Sequence, residues 1–154
     1  MLIEKAYRGK PITMAYNGLQ FSVPGNLYII GMMNTADRSL AMIDYALRRR
    51  FCFFEMEPGF DSEGFIRYQN ALNNEVLNEL VDKIKELNRE IALDKSLGKG
   101  FCIGHSYFCG ADACTDEWLR SIVDYDILPM LNEYWFDDTN KLQRWTNILQ
   151  GVFQ

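Results

Sequence analysis

Residues Asn26–Phe54 read NLYIIGMMNTADRSLAMIDYALRRRFCFF, and the rest of the chain is arranged around them. Leu27-Tyr28-Ile29-Ile30 is a short apolar run, rich in β-branched and aromatic residues, set between Pro24-Gly25 and Gly31. Such a run reads as a strand buried on both faces. Polar chemistry begins where it ends, with Asn34, Asp37 and Arg38. In open α/β sheets the carboxyl end of a buried strand is where ligands are held. Asp44-Tyr45-Ala46-Leu47 suits one or two helical turns, the triplet Arg48-Arg49-Arg50 follows, and Phe51-Cys52-Phe53-Phe54 reads as a second buried strand.

Three consecutive arginines between a helix and a strand cannot share one face, because strand residues alternate sides and helical residues step by about 100°. At least one guanidinium is expected to meet an anion. Cations at the negative end of a helix dipole supply the plain structural reading of the same triplet.

Composition bounds the remaining possibilities. With 154 residues, 48% of them apolar and 14% aromatic, the chain is long enough to bury a core in one or two compact units. A net charge of −5, with basic residues dispersed except at 48–50, argues against a general nucleic-acid grip. Cys52, Cys102, Cys109 and Cys114 form no CxxC pair and are accompanied by one histidine, so neither a zinc site nor a redox motif is expected. No apolar run approaches the roughly 18 residues of a membrane span, and MLIEKAYRGK lacks the apolar centre of a signal peptide. A cytoplasmic protein without membrane contact is the expectation.

Along the chain, Met1–Tyr7 reads as the tail of a helix ended by Gly9, and Tyr16-Asn17-Gly18 between Ile12–Ala15 and Leu19–Val23 reads as a hairpin. Glu57-Pro58-Gly59 is a joint between subdomains, after which Asp61 or Ser62 caps a helix toward Leu72. Val76, Leu77, Leu80, Val81, Ile84, Leu87 and Ile91 form the stripe of a long amphipathic helix, with Glu79, Lys83, Glu86 and Glu90 facing water. Gly98, Gly100 and Gly104 interrupt it, and His105-Ser106 opens another helical turn. Helical spacing resumes at Asp116, Pro129 is expected to kink the segment or restart it, and Asp138 or Thr139 caps a last helix to Leu149.

Strand, MNTADRS, short helix, ALRRRF and strand, in this order, closely resemble the AAA+ NTPase core, and in particular the McrB family of GTP-dependent restriction motors. Glu57-Pro58-Gly59-Phe60, Gly98-Lys99-Gly100-Phe101, Ile103-Gly104-His105-Ser106-Tyr107-Phe108 and Phe136-Asp137-Asp138 with Trp145-Thr146 also look like that family, so the resemblance covers nearly the whole chain. It implies the C-terminal part of an AAA+ α/β core with a β-hairpin over residues 1–58, followed by an all-helical lid over 59–154. The chain contains no GxxxxGK[ST] phosphate loop and no apolar strand ending in Asp-Glu for magnesium. Both are expected upstream of Met1, in a shortened or split AAA+ module, so the chain alone is expected to be inactive.

The resemblance also implies roles. Asn34 takes the sensor 1 position, bonding a γ-phosphate oxygen and the attacking water, although an Asn capping the turn after a strand would look the same. Arg49 and Arg50 match arginine fingers acting on a neighbour's nucleotide, with Arg48 and Arg38 as nearby candidates. Asn34-Thr35-Ala36-Asp37 resembles the guanine-reading NKxD box without its lysine; Asp37 otherwise caps a helix or pairs with an arginine. His105 and Ser106 are candidates for base or phosphate contact from the lid, or His105 is a satisfied core histidine. The implied cofactors are GTP or ATP with Mg²⁺, bound mainly upstream. The implied partners are further copies in a ring, expected to be a hexamer, and an McrC-like nuclease subunit, with DNA held by other domains. An ATP-using AAA+ protein and a non-catalytic oligomerisation or regulatory module are the alternatives.

Overall fold

The computed structural model describes residues 2–34, 45–110 and 113–154, which fall into two compact units, Met1–Glu55 and Met56–Gln154. It is mostly helical, with one two-stranded sheet.

In the first unit, β1 (Ile12–Thr13) and β2 (Gln20–Phe21) pair antiparallel, Ile12 opposite Phe21 and Thr13 opposite Gln20. The turn forms because Gly18 takes φ +70°, a region costly for side chains, while Asn17 Oδ1 accepts the Leu19 amide at 3.0 Å. The expected tail of a helix at Met1–Tyr7 is instead a 3₁₀ turn, Lys5–Tyr7, bounded by extended Glu4 and Arg8 that stop the ladder on both sides. Gly9, at φ +76°, then redirects the chain. The two apolar runs also depart from expectation. Neither 27–30 nor 51–54 is a strand, and Tyr28, Ile30 and Phe54 are 87%, 93% and 89% exposed. Strand composition fits a pleated surface but does not create one, and no described segment offers either run a ladder. A helical turn, α1 (Tyr45–Arg48), precedes the last two arginines.

The second unit is helical, with α2 (Glu63–Leu72), α3 (Glu75–Leu93), α4 (Asp116–Ser121), α5 (Leu128–Tyr134) and α6 (Thr139–Gly151). Short polar side chains start four of them. Ser62 Oγ accepts the Phe65 amide, Asn74 Oδ1 the Leu77 amide, Thr115 Oγ1 the Trp118 amide and Asp138 Oδ1 the Lys141 amide, at 2.8–3.2 Å. The stripe on α3 is the centre of the core: Leu77, Leu80, Val81, Ile84, Leu87 and Ile91 are buried against Phe60, Phe65, Phe108, Leu131, Trp145 and Leu149. Between α4 and α5 the chain widens into a π-helical segment, Ile122–Ile127, whose last turn is closed by the Leu128 amide on the Val123 carbonyl. The wide turn sits just before Pro129, where a proline ring needs room from the preceding carbonyls. An α-helix thus starts anew at Leu128 with Pro129 in its first turn, as expected of the proline, while the backbone stays helical through the wide turn ahead of it.

Candidate functional site

Asn34 is exposed, in the irregular segment that follows Ile30. Asp37 and Arg38 lie outside the described residues. Of the arginine triplet, Arg50 is tied internally: its Nε donates to Glu4 Oε1 at 2.6 Å, and its Nη1 donates to the Ala46 carbonyl. The Arg50 guanidinium holds the Glu4 carboxyl below its ordinary value. Arg48, on the last residue of α1, lies over the Phe53 ring at 5.6 Å. Arg49 is exposed and makes no hydrogen bond or ion pair with any described residue. An open groove in this unit is walled by Ile3, Tyr28, Ile29, Phe51 and Cys52, with Arg8 and Arg50 at its polar side. Arg8 donates to the Ile3 and Leu27 carbonyls and so fixes one wall to the other.

His105 and Ser106 stand on a 3₁₀ turn, His105–Phe108. Ser106 is exposed. His105 is half-buried, its Nδ1 accepting the Gly59 amide at 2.9 Å, and its ring lies edge-on to Phe65 (5.5 Å) and Phe60 (6.1 Å). Gly59 needs to be glycine here, because a Cβ would stand 2.9 Å from His105 Cε1. The loop bearing His105 is itself pinned to α3: Asn88 donates to the Ile103 carbonyl at 2.8 Å and accepts its amide at 2.7 Å, a side chain pairing as a strand would. Lys99 pairs with Glu57 at 2.7 Å and holds that carboxyl below its usual range.

A second polar cluster joins α3 to α6. Asp94 Oδ1 accepts from the amide and hydroxyl of Ser96, and Oδ2 from Lys141 Nζ at 3.0 Å and Trp135 Nε1 at 3.1 Å. These donors, Ser96 foremost, hold the Asp94 carboxyl well below the usual carboxylate range. Glu90 belongs to the same cluster, accepting from Trp145 Nε1 at 3.0 Å and from Arg144, where the sequence pattern alone puts it in water. Burial pushes the Tyr134 phenol up to about 12 and raises the thiols of Cys102, Cys109 and Cys114, so none of these is an activated nucleophile. Among the described residues no three His, Cys, Asp or Glu side chains converge to hold a metal ion.

Sequence reasoning missed Asn88, Glu4 and the Gly59–His105 bond. A partner 46 residues away has no periodicity to betray it, and Asn88 reads as one more polar residue on α3. Glu57-Pro58-Gly59 and Gly98-Lys99-Gly100-Phe101 were the only signal, two non-helical motifs with no visible reason to meet.

Comparison with known proteins places this geometry among relatives. Residues 79–143 match the family model described as the McrB alpha-helical lid domain. Over 165 aligned positions the chain is 50% identical to the type IV methyl-directed restriction enzyme EcoKMcrB subunit of Escherichia coli K12. That alignment covers 98% of the chain and 36% of the relative, so the chain spans little more than a third of the relative's length.

Proposed function

The chain belongs to the McrB family, and from that premise we propose that it works as the C-terminal part of a GTP-hydrolysing AAA+ motor subunit in a methyl-directed restriction complex. The observation that carries this reading is the reach of the 50% identity, which runs across the Asn34 and arginine segment as well as the lid. In this reading residues 1–58 complete an α/β core whose phosphate loop and magnesium carboxylates belong to another part of the protein, and 59–154 form the lid. Asn34 positions the attacking water against the γ-phosphate. Arg49 reaches the nucleotide of the next subunit, supported by its exposure and by its making no hydrogen bond or ion pair with any described residue, while Arg50 braces the segment through Glu4, and Arg48 and Arg38 are further candidates. Asp37 and Ser106 are the further candidates for contact with the nucleotide. The active form is a cytoplasmic ring, a hexamer, working with Mg²⁺ and GTP and docking an McrC-like nuclease, with DNA read by a separate domain.

The test uses the complete protein. Arg49→Ala is expected to keep nucleotide affinity within about threefold while lowering turnover by roughly 10³-fold or more, the scale of a finger supplied in trans. Mixing it with a variant lacking the phosphate-loop lysine restores activity, since one subunit then supplies the pocket and its neighbour the finger. Mixed rings shown to contain both variants yet recovering nothing at any ratio would overturn the assignment. Parallel turnover with GTP and ATP decides the nucleotide.

A further inference from the structure

The start of the lid is bound to the lid more firmly than its sequence suggests. The Gly59 amide is held by His105, and the Gly59 carbonyl accepts from the Ser62 amide (3.1 Å) and hydroxyl (2.7 Å), the same hydroxyl that caps α2. His105 is in turn fixed by its edge-on contacts with Phe60 and Phe65, and its loop by Asn88 on α3. An unbroken chain of contacts thus runs from α3 through Ile103, His105 and Gly59 to α2. The Glu57–Lys99 pair adds a second tie, but both side chains are more than 60% exposed, where an ion pair contributes little. Immediately before this region the restraint ends. Phe54, Glu55 and Met56 are exposed and make no hydrogen bond or ion pair with any described residue.

We propose that His105 is a positioning residue: by accepting the Gly59 amide on Nδ1 it makes residues 57–62 part of the lid's rigid body and confines bending of the chain to 54–56. Hinges are a few residues that absorb the backbone change, and a pivot is sharp only when the residues beside it are held. The inference rests on the reading of this chain as the lid-bearing part of a nucleotide-hydrolysing motor. There the lid's approach to bound nucleotide is set by where the pivot lies. With the latch lost, the pivot spreads over residues 54–61 and the lid closes in many directions, so turnover falls while binding changes little.

Four variants of the complete protein test this. His105→Leu removes the acceptor and keeps bulk. His105→Asn sets an amide oxygen where Nδ1 stood and removes Cε1. Gly59→Ala drives a methyl group into the ring at 2.9 Å, and the double variant Gly59→Ala/His105→Asn removes the atom it would strike. Hydrogen exchange of peptides spanning Glu57–Asp61 is expected to quicken about tenfold in His105→Leu and Gly59→Ala, the scale of one lost hydrogen bond. In the same two variants kcat is expected to fall about tenfold with KM within about threefold, while His105→Asn and the double variant stay near wild type on both measures. If His105→Leu unfolds the lid, seen as lost protection in α3, rescue of Gly59→Ala by His105→Asn decides the matter, and failure of rescue overturns the proposal. Unchanged protection of 57–61 in His105→Leu overturns it too, as does a loosened segment with unchanged kcat. A wild-type protein that turns over no nucleotide would remove the motor reading, and the latch would then stand or fall on exchange and rescue.

Discussion

Asp94 shows how much a single residue at the end of a helix can carry. Its two oxygens take four donors from Ser96, Lys141 and Trp135, tying the end of α3 to the segment that leads into α6. A carboxyl held below its unfolded value contributes stability above about pH 4 and loses that contribution as pH falls toward the lower folded value. Asp94→Asn is therefore expected to lower the thermal midpoint by about 5 °C at pH 7, with the gap to wild type shrinking steadily below about pH 4. A gap that stays constant with pH in calorimetry would show that the charge plays no part. Asn34→Ala in the complete protein makes a kinetic prediction of the same kind: nucleotide affinity within about threefold, and turnover lower by roughly 10²-fold or more, as for loss of one oriented transition-state donor. Stopped-flow binding beside steady-state hydrolysis checks it. At this scale the sequence identified residue types better than partners. The triplet at 48–50 announced that something anionic was needed, but Glu4 as the partner of Arg50 emerges only from the folded path of the first unit.

Among elements, α3 was the most legible. Six buried residues on one stripe are a local fact, and local facts survive folding. Leu80→Ala, at a fully buried position facing the other helices, is expected to cost about 2–5 kcal/mol in denaturant unfolding of the lid, against about 1 kcal/mol for the cap change Asn74→Ala. A smaller cost for the first than for the second would mean that the core is not organised around α3. The caps at Ser62 and Asp138 and the hairpin at Asn17-Gly18 were legible for the same reason. The runs 27–30 and 51–54 were not, since a strand is defined by a neighbour and composition reports only the willingness to have one. The restart at Pro129 was legible, but the wide helical turn ahead of it has no sequence signature.

On the scale of the whole chain the two units differ in kind. Residues 1–55 carry seven Lys and Arg and four Asp and Glu, so the first unit is cationic and the second must hold the chain's excess of acid. Phe53 and Phe54 are 53% and 89% exposed at the end of the first unit, whereas Phe60 and Phe65, just inside the second, are 3% and 4% exposed. Brief chymotrypsin treatment is expected to cut at Phe53 or Phe54 first and release an acidic, helical product that binds an anion exchanger. Mass spectrometry of the first product checks this, and initial cleavage at Phe60 or Phe65 would contradict the tight start of the lid.

The wide turn at Ile122–Ile127 bears on how this lid tolerates changes in length. A segment with five residues where an ordinary helix has four holds one residue in surplus, and removing it closes the turn without altering the phase of the downstream helix. Deleting Tyr125, 79% exposed, would leave Leu119 and Leu131 on the inner side, while any single deletion within α3 would swing its later leucines and isoleucines out by about 100°. Length variation among lids of this kind is thus expected to collect at one place, as a record of an insertion the helix absorbed by swelling.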